Sequence, residues 1–446
     1  METGDVRLAA HERVARLLDH LGVPRAHLAG RHPNVLGDVL RARPDLVASA
    51  TLVCPPAFDP VPFRSVADRV LAVLGDGGPA AAAGGQALAH LSGAATAVLP
   101  GYESLPWSDL VADRSAEIGD ALLAFLAGVS TRDGLAPAAL PEGTGAVAGV
   151  TYRIRGSGPP LVLFPLGLAP SQWDALLPRL AAQYCTIALG GAYLGVLAAL
   201  EERGRTHGYL GVVAAAADAL DLGPGRRVLE VGCGSGVLCR WLARRLGGDP
   251  PVVGVDVNRY FLREATALAA QEGLVERIDF REGDAMSLPF ADASFDGALA
   301  VTVLEEVDAD RALAELVRVT RPGGRVGAVV RATDAPFWYN VALPPDLKAK
   351  AERVSGPGAG PGGCADGSLL RRCRAAGLAD ARAWLQLATL YPGRDTWELW
   401  AYYQSWVLGA LRDDEAAAWR AAVSHAEADG TLYWAFPHHC AVGTKR

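Results

Sequence analysis

A glycine-rich turn between an apolar strand and an apolar-periodic helix constrains the fold of this chain most. The apolar run 228–231 is followed by Gly232, Gly234 and Gly236, and then by a segment with helical spacing of its apolar residues. Glycine permits positive φ angles and lets a ligand approach the backbone closely. The helix that begins there has free N–H groups. The segment therefore predicts a strand, a tight turn and a helix, with a polar ligand at the turn.

Four more apolar strands are predicted downstream of this turn. The segment 251–258 contains a strand that ends in Asp256, 20 residues after Gly236, and further strands lie within 277–290, 294–307 and 313–330. A carboxylate at such a strand end can accept hydrogen bonds from the two hydroxyls of a ribose. Taken alone, the glycines also fit a structural turn or a nicotinamide dinucleotide site, although their spacing differs from G-x-G-x-x-G.

In their sequence motifs and in the order of these motifs, the segments resemble a class I S-adenosylmethionine-dependent methyltransferase. The resemblance covers roughly residues 193–446. It implies a Rossmann-like α/β fold, in which a parallel sheet ends in an antiparallel last strand. It also implies that S-adenosyl-L-methionine is the cofactor.

The resemblance also assigns the cofactor contacts. Glu230 is expected to accept hydrogen bonds from the backbone or from the cofactor's ammonium group, and Asp256 to hold the ribose. Asp284 is expected to accept the adenine amino group. The full set of expected cofactor residues is Tyr209, Glu230, Gly232, Cys233, Gly234, Gly236, Asp256, Val257, Asn258, Asp284, Ala285, Met286, Val301 and Thr302. Tyr209 either covers the methionine end of the cofactor or packs in the core.

Methyl transfer is an in-line displacement at a carbon that a positive sulfur already activates. The protein therefore has mainly to align the two reactants and exclude water, and a base is needed only where the acceptor retains a proton. The candidate bases are Glu305 and Glu306 after the fourth strand, and His438 and His439 on the predicted last strand. The two glutamates also fit a helix start or a solvated surface. The two histidines should face opposite sides of the sheet.

Aromatic residues after the fifth strand are the candidate substrate contacts. They are Phe337, Trp338 and Tyr339, and we expect them at the sheet edge where ligands bind in such folds. They either contact an apolar acceptor or pack in the core. The glycine- and proline-rich segment 355–367 predicts a mobile lid. A further set of aromatic residues at helical spacing is expected to belong to the core, namely Trp397, Trp400, Tyr403 and Trp406.

The segment 26–54 predicts a strand, a sharp turn, a helix and another strand. It resembles the middle of an α/β-hydrolase, where the turn carries the nucleophile in the pattern G-x-S-x-G. Here the turn reads Gly-Arg-His-Pro-Asn at 30–34, which places His32 at the nucleophile position. The expected base position falls in 101–104, which holds no histidine. The resemblance therefore implies a hydrolase-like domain that lacks catalytic residues.

Residues 150–192 resemble the opening half of the same hydrolase family, so the two halves occur in reversed order. We expect residues 1–130 to form the late half, 131–149 a linker, and 150–192 the opening half that completes the same domain. Permutation of this kind is physically reasonable because domain termini often lie close together. A domain without catalytic groups is expected to have a structural role. It either forms a homodimer interface or packs beside the methyltransferase pocket.

The composition of the chain argues against several kinds of binding partner. The formal net charge of −7 and the lack of a basic run argue against a nucleic-acid partner. No apolar run reaches 18 residues, so no membrane partner is expected. The seven cysteines contain no C-x-x-C pair, which argues against a metal site and favours reduced thiols in a cytoplasmic protein.

The sequence thus predicts methyl transfer from S-adenosylmethionine to a small-molecule acceptor, with a specialised metabolite as the expected class. The alternative keeps the cofactor and the fold but changes the reaction. A methyltransferase fold also hosts cyclisation or elimination, in which no methyl group reaches the product.

Overall fold

The chain folds into two compact units, residues 1–199 and 200–446. The computed structural model describes residues 8–55, 58–104, 108–138, 140–354, 358–392, 396 and 398–446. The boundary lies beyond the predicted position of 193. Leu194, Leu197 and Ala198 are buried, and Leu194 belongs to the core of the first unit. Apolar packing rather than motif similarity therefore decides where the first unit ends.

The described part of the first unit contains one eight-stranded sheet in the order β4-β3-β2-β1-β7-β8-β6-β5. Its strands are β1 Ala26–Gly30, β2 Val47–Val53, β3 Val70–Gly77, β4 Ala95–Glu103, β5 Gly143–Val147, β6 Val150–Arg155, β7 Pro160–Leu163 and β8 Cys185–Gly190. β1 pairs in parallel with β7, and β6 runs antiparallel to β8. Strands from 26–54 and from 150–191 therefore lie in one sheet.

The predicted linker 131–149 is corrected by the structure. Helix α4 continues to Asp133, and β5 forms a hairpin with β6. The hairpin turns at Ala148 and Gly149, whose φ angles are 51° and 78°. Positive φ at both central residues matches the twist of the flanking strands. A glycine-rich strand with few apolar side chains resembles a linker in sequence, because backbone hydrogen bonds rather than burial hold it.

Helices cover the central strands of the first unit on both faces. The helices are α1 Ala10–His20, α2 Pro33–Ala42, α3 Gly78–Leu88, α4 Leu110–Asp133, α5 Leu177–Ala181 and α6 Gly195–Arg203, the last of which crosses the unit boundary. Short 3₁₀ helices span Pro44–Leu46, Val61–Arg69 and Pro170–Ala175. β1, β2 and β8 are buried along their whole length, as expected for parallel strands covered on both sides.

The second unit contains a sheet in the order β11-β10-β9-β12-β13-β16-β14, with β15 also paired to β16. Its strands are β9 Val228–Val231, β10 Val252–Asp256, β11 Ile278–Glu282, β12 Phe295–Val301, β13 Thr320–Arg331, β14 Trp338–Tyr339, β15 Leu378–Leu390 and β16 Trp434–Lys445. β9 to β13 are parallel, and β16 is antiparallel to β13. The predicted Rossmann-like sheet with an antiparallel last strand is confirmed.

The helices of the second unit follow from local signals. Asn258 accepts hydrogen bonds from two backbone N–H groups at the start of α9, and Asp308 accepts one, from the Arg311 N–H, at the start of α10. The helices are α7 His207–Ala219, α8 Val237–Leu246, α9 Arg259–Gln271, α10 Ala309–Val319, α11 Pro345–Glu352, α12 Leu369–Ala375, α13 Glu398–Ala410 and α14 Asp413–Ala428, with a 3₁₀ turn at Val275–Arg277. In the described ranges, none of the helices has the length and apolar character that crossing a bilayer requires.

Candidate functional site

The glycine turn lies at the carboxyl end of β9. Gly232, Gly234 and Gly236 have φ angles of 70°, 52° and 70°. A Cβ atom on Gly232 would lie 2.2 Å from Val303 Cγ2, and one on Gly236 would lie 2.5 Å from the Phe280 ring. Both the backbone conformation and the close neighbours therefore require glycine at these two positions. The turn presents bare backbone at the edge of the sheet where ligands bind.

Asp256 connects the glycine turn to the end of β10. Its Oδ2 accepts a hydrogen bond from the Gly234 N–H at 2.8 Å, and its Oδ1 accepts one from the Asn258 N–H at 2.8 Å. Burial raises the pKa of this carboxyl, and the two backbone hydrogen bonds oppose the shift. Each carboxylate oxygen has a second lone pair, so the group retains capacity for a ribose hydroxyl. Val257, by contrast, is 71% exposed.

Glu230 lies buried on β9 beneath the turn. Its Oε2 has no hydrogen-bond partner among the described residues. Burial raises the pKa of this carboxyl to about 8, and the nearby Asp256 adds to the shift. Cys233 and Cys239 also lie close to Glu230. A buried carboxyl with one unpaired oxygen fits the ammonium group of a ligand, which would satisfy that oxygen and favour its charge.

The third strand contributes a turn after β11. Asp284 Oδ1 accepts a hydrogen bond from the Met286 N–H at 2.8 Å, and Ala285 is buried within this turn. Asp284 itself is exposed. The turn thus follows the third strand, next to the strand that ends in Asp256. This is the position that the resemblance assigns to the adenine contacts.

The fourth strand, β12, ends at Val301, and Thr302 follows it directly. Thr302 has a φ of 53°, and its N–H donates to Val329 O at 2.7 Å. Its hydroxyl accepts a hydrogen bond from Arg203 Nη1 at 3.0 Å. The Arg203 guanidinium lies 5.5 Å from the centre of the Tyr209 ring, and the buried Tyr209 hydroxyl has no partner among the described residues. Arg203 was not among the predicted site residues, because no motif in the sequence marks it.

The two candidate glutamates occupy different environments. Glu305 is buried, its Oε1 accepts the Arg331 N–H at 2.7 Å, and its Oε2 has no partner in the described part of the chain. Burial raises the pKa of Glu305 to about 7, against the opposing effect of Arg331. Glu306 has a half-exposed side chain whose Oε1 lies 3.5 Å from Arg331 Nη2. Only Glu305 therefore faces the interior as a candidate base.

The two histidines lie on opposite sides of β16, as strand alternation predicts. His438 is buried, with its ring centre 5.6 Å from Tyr209 and 4.7 Å from Phe436. Burial, followed by the positive charges of Arg203 and Arg331, lowers the pKa of His438 to about 3. His439 instead pairs with Asp334 at 2.7 Å. His439 is thus separated from the Tyr209 side of the sheet, and its predicted catalytic role finds no support in this placement.

Of the three aromatic residues predicted to contact the substrate, two are buried in the second unit and one is exposed to solvent. Phe337 and Tyr339 are buried, whereas Trp338 is exposed beside Lys348 Nζ at 4.2 Å. Adjacent strand residues alternate between faces, which removes the middle residue from the interior. Phe337 and Tyr339 join an aromatic cluster whose other members are Trp400, Trp419, Tyr403, Trp434 and Phe436. Trp397 lies outside the described residues.

The predicted mobile lid is held by backbone hydrogen bonds in its described part. Gly360 N–H donates to Glu305 O at 2.9 Å, and Cys364 N–H donates to Leu304 O at 2.7 Å. The Gly362 carbonyl accepts the Ala309 N–H at 3.1 Å. Residues 358–364 therefore buttress the loop that carries Glu305, while 355–357 lie outside the described residues.

No metal site accompanies these groups. Within the ranges that the structure describes, no three His, Cys, Asp or Glu side chains come together in a way that would hold an ion. The described groups fit S-adenosylmethionine better than they fit a metal ion. The bare glycine backbone, the unpaired Glu230 oxygen and the Asp256 carboxylate lie at the carboxyl ends of β9 and β10, and they suit the methionine and ribose parts of S-adenosylmethionine.

Comparisons with known proteins point to the same region. A family model described as "Methyltransferase domain" matches residues 229–327, which run from β9 into β13. Methyltransferase GfsG of Streptomyces halstedii is 42% identical over 120 residues, which are 26% of this chain and 42% of that protein. The O-methyltransferase resE of Aspergillus sclerotiorum is 38% identical over 112 residues, 25% of this chain and 42% of that protein. The chain thus spans less than half the length of these relatives.

Solved structures also align with this chain. The crystal structure of the YcgJ protein from Bacillus subtilis has 18% sequence identity and a TM-score of 0.36, over 53% of this chain and 99% of that chain. The [4+2]-cyclase SpnF has 26% identity and a TM-score of 0.31, over 51% of this chain and 79% of that chain.

Proposed function

We propose that this chain, whose C-terminal unit carries a class I S-adenosylmethionine-dependent methyltransferase domain, transfers a methyl group from S-adenosyl-L-methionine to a small-molecule acceptor. The observation that carries the proposal is the convergence of the glycine turn, Glu230 and Asp256 at one sheet edge. The cofactor supplies an activated methyl group on a positive sulfur. The chain supplies position, charge and exclusion of water.

Each group has a defined part in this proposal. Glu230 binds the ammonium group, Asp256 binds the ribose, and the turn that holds Asp284 and Ala285 binds the adenine. Thr302 and Arg203 line the end of β12, where the sulfur is expected. Glu305 is the candidate proton acceptor, since a pKa of about 7 leaves much of the carboxyl ionised near neutral pH.

A specialised metabolite is the acceptor class that we infer. The relatives named above include a methyltransferase of a streptomycete and an O-methyltransferase of a filamentous fungus. The buried aromatic cluster around Phe337 and Tyr403 favours an acceptor with apolar surface. The net charge of −7 disfavours a polyanionic substrate such as nucleic acid.

The test combines calorimetry with labelled cofactor. The purified chain is titrated with S-adenosylhomocysteine and, separately, with NADH, and we expect binding of the first only. It is then incubated with methyl-deuterated S-adenosylmethionine and candidate metabolites. A product that gains one labelled methyl group supports transfer. A new product without label would instead favour cyclisation or elimination, and tight binding of NADH alone would contradict the whole proposal.

For the first unit we propose an α/β-hydrolase-like domain without acyl-transfer chemistry, which serves as a homodimer interface. The position of His32 supports this proposal. His32 lies between β1 and α2, and α/β-hydrolases have their nucleophile at the corresponding turn between a strand and a helix. The His32 backbone angles, φ −90° and ψ 104°, are relaxed, whereas a nucleophile turn is strained. Light scattering should give twice the chain mass, and nitrophenyl ester hydrolysis should not exceed the buffer rate.

A cytoplasmic location completes the proposal. All seven cysteines are free and buried, which fits a reducing compartment. Fractionation of the native host with thiol trapping tests this directly. Thiols that are all recovered in the reduced form support it.

A further inference from the structure

The interior of the second unit contains polar atoms that the chain itself does not satisfy. The Tyr209 hydroxyl, Glu305 Oε2 and both ring nitrogens of His438 have no hydrogen-bond partner among the described residues, although each residue is at most 2% exposed. Thr302 lies near the Tyr209 hydroxyl, and the Phe436 backbone lies near the His438 ring, but neither contact has hydrogen-bond geometry. Buried polar groups are normally paired, so these three residues mark a place where a ligand supplies the partners.

These atoms lie beside the expected position of the methyl group. His438 is opposite Arg331 in the pairing of β16 with β13. Thr302, at the end of β12, is joined to β13 through Val329 and to Arg203 through its hydroxyl. Arg203 in turn lies over the Tyr209 ring. The unsatisfied atoms are therefore grouped at the carboxyl ends of the fourth and fifth parallel strands of the sheet.

The charges around this group favour one kind of acceptor. Arg203 and Arg331 both act on His438, and Arg203 also interacts with Glu305. Methylation of a neutral amine moves the positive charge from the sulfur onto the product, where two nearby guanidinium groups disfavour it. Removal of the proton from a hydroxyl leaves negative charge on the oxygen, which the same positive charges stabilise, and methyl transfer to that oxygen then ends in a neutral ether.

The side chains packed next to His438 are aromatic, which favours an acceptor with an aromatic surface. Phe436 lies 4.7 Å from the His438 ring, and Phe337 and Tyr403 lie 5.9 Å and 5.1 Å from Phe436. Trp434 is stacked on Phe436 at 4.9 Å. Flat aromatic faces pack best against another flat, conjugated surface.

We propose, resting on the proposed function above, that the acceptor is a planar conjugated compound with an acidic hydroxyl, and that Tyr209, Glu305 and His438 bind that hydroxyl. The hydroxyl proton passes to Glu305 Oε2. A lone pair of the acceptor oxygen forms the new O–CH₃ bond while the C–S bond breaks, and the electron pair of that bond remains on sulfur. The products are a methyl ether and S-adenosylhomocysteine.

Two probes that differ only in the hydroxyl test this inference, namely 4-nitrophenol and nitrobenzene. Each is titrated into the full chain saturated with S-adenosylhomocysteine, and binding is followed by calorimetry and by the visible absorbance of the phenolate. The variants are His438→Phe and, as the matched control from the opposite face of the same strand, His439→Phe. The affinity for S-adenosylhomocysteine is measured for every protein, so that loss of folding is recognised.

We expect the unsubstituted protein and His439→Phe to bind 4-nitrophenol about tenfold more tightly than nitrobenzene. His438→Phe should show a clearly smaller preference for 4-nitrophenol, because only Tyr209 and Glu305 then bind the hydroxyl, with unchanged affinity for S-adenosylhomocysteine. Equal affinities in the unsubstituted protein, no binding of 4-nitrophenol, or equal losses in both variants would overturn the inference. If His438→Phe does not fold, the two probes on the unsubstituted protein decide alone. Failure of that protein to bind S-adenosylhomocysteine would instead contradict the proposed function.

Discussion

Glu230 should couple cofactor binding to the release of a proton, and the variant Glu230→Gln tests this coupling. The carboxyl is buried on β9 with one unpaired oxygen, and burial raises its pKa to about 8. At pH 6.5 this group is therefore protonated in about nine-tenths or more of the molecules. An ammonium group placed beside it favours the ionised form. Binding of S-adenosylhomocysteine, whose amino group is itself protonated at this pH, should expel the proton to solvent.

The magnitude follows from the pKa of about 8 for Glu230. Ionising this carboxyl at pH 6.5 costs about 2 kcal/mol, at 1.36 kcal/mol per pH unit, and the ammonium contact has to offset that cost. Release of about 0.9 proton also means that the affinity for S-adenosylhomocysteine rises nearly tenfold between pH 6 and pH 7. Glutamine carries no such proton, so Glu230→Gln should show a nearly flat pH profile.

The measurement is isothermal titration calorimetry at pH 6.5 in buffers of different ionisation enthalpy. The slope of binding enthalpy against buffer enthalpy gives the number of protons released. A slope near zero in the unsubstituted protein would refute the reasoning. So would an unchanged slope in Glu230→Gln, because the proton would then come from another group, of which the buried Asp256 is the nearest candidate.

Two further pairs of variants test the packing of the second unit by thermal or urea unfolding. Gly225→Ala, at a φ of 80° with no atom within 4 Å, should lower the unfolding free energy by about 1–2 kcal/mol. Gly232→Ala adds a clash at 2.2 Å with Val303, so it should cost about 1–3 kcal/mol more, and equal costs would contradict this. Arg240→Ala leaves a buried carboxylate unpaired and should cost about 3–5 kcal/mol, whereas Arg244→Ala, with a 54% exposed side chain, should cost at most about 1 kcal/mol.

The parts of the fold that depend on local signals were predictable from the sequence. The glycine turn and the strand that ends in Asp256 are set by positive φ angles, apolar runs and a strand-end carboxylate, all of which neighbouring residues specify. The segment 143–147 was misread as a linker because its pairing partner, rather than its own composition, makes it a strand.

The composition of the inner site was not predictable, because it depends on contacts between distant segments. Arg203 reaches Thr302 across 99 positions in the chain. Strand alternation requires His438 and His439 to face opposite sides, but only the packing of Tyr209 decides which of them is inside. Likewise, alternation separates Trp338 from its neighbours without stating which residue is buried.

The pKa shifts of Glu230, Glu305 and His438 have one feature in common, which is that each favours the neutral form of its group. Glu230 and Glu305 have raised pKa values of about 8 and about 7, and His438 has a lowered one of about 3. A carboxyl with a higher pKa in the folded chain binds more protons there than in the unfolded chain. The contribution of these two carboxyls to the unfolding free energy of the cofactor-free protein should therefore fall as the pH rises from about 4.5 towards 8, whereas the contribution of His438 rises with pH up to about 6.5. Cofactor binding strengthens over the upper part of the same range, since it requires Glu230 to ionise. Near neutral pH Glu230 and His438 are thus mostly neutral in the cofactor-free protein, whereas Glu305 is partly ionised, and a cationic ligand gains most by ionising Glu230.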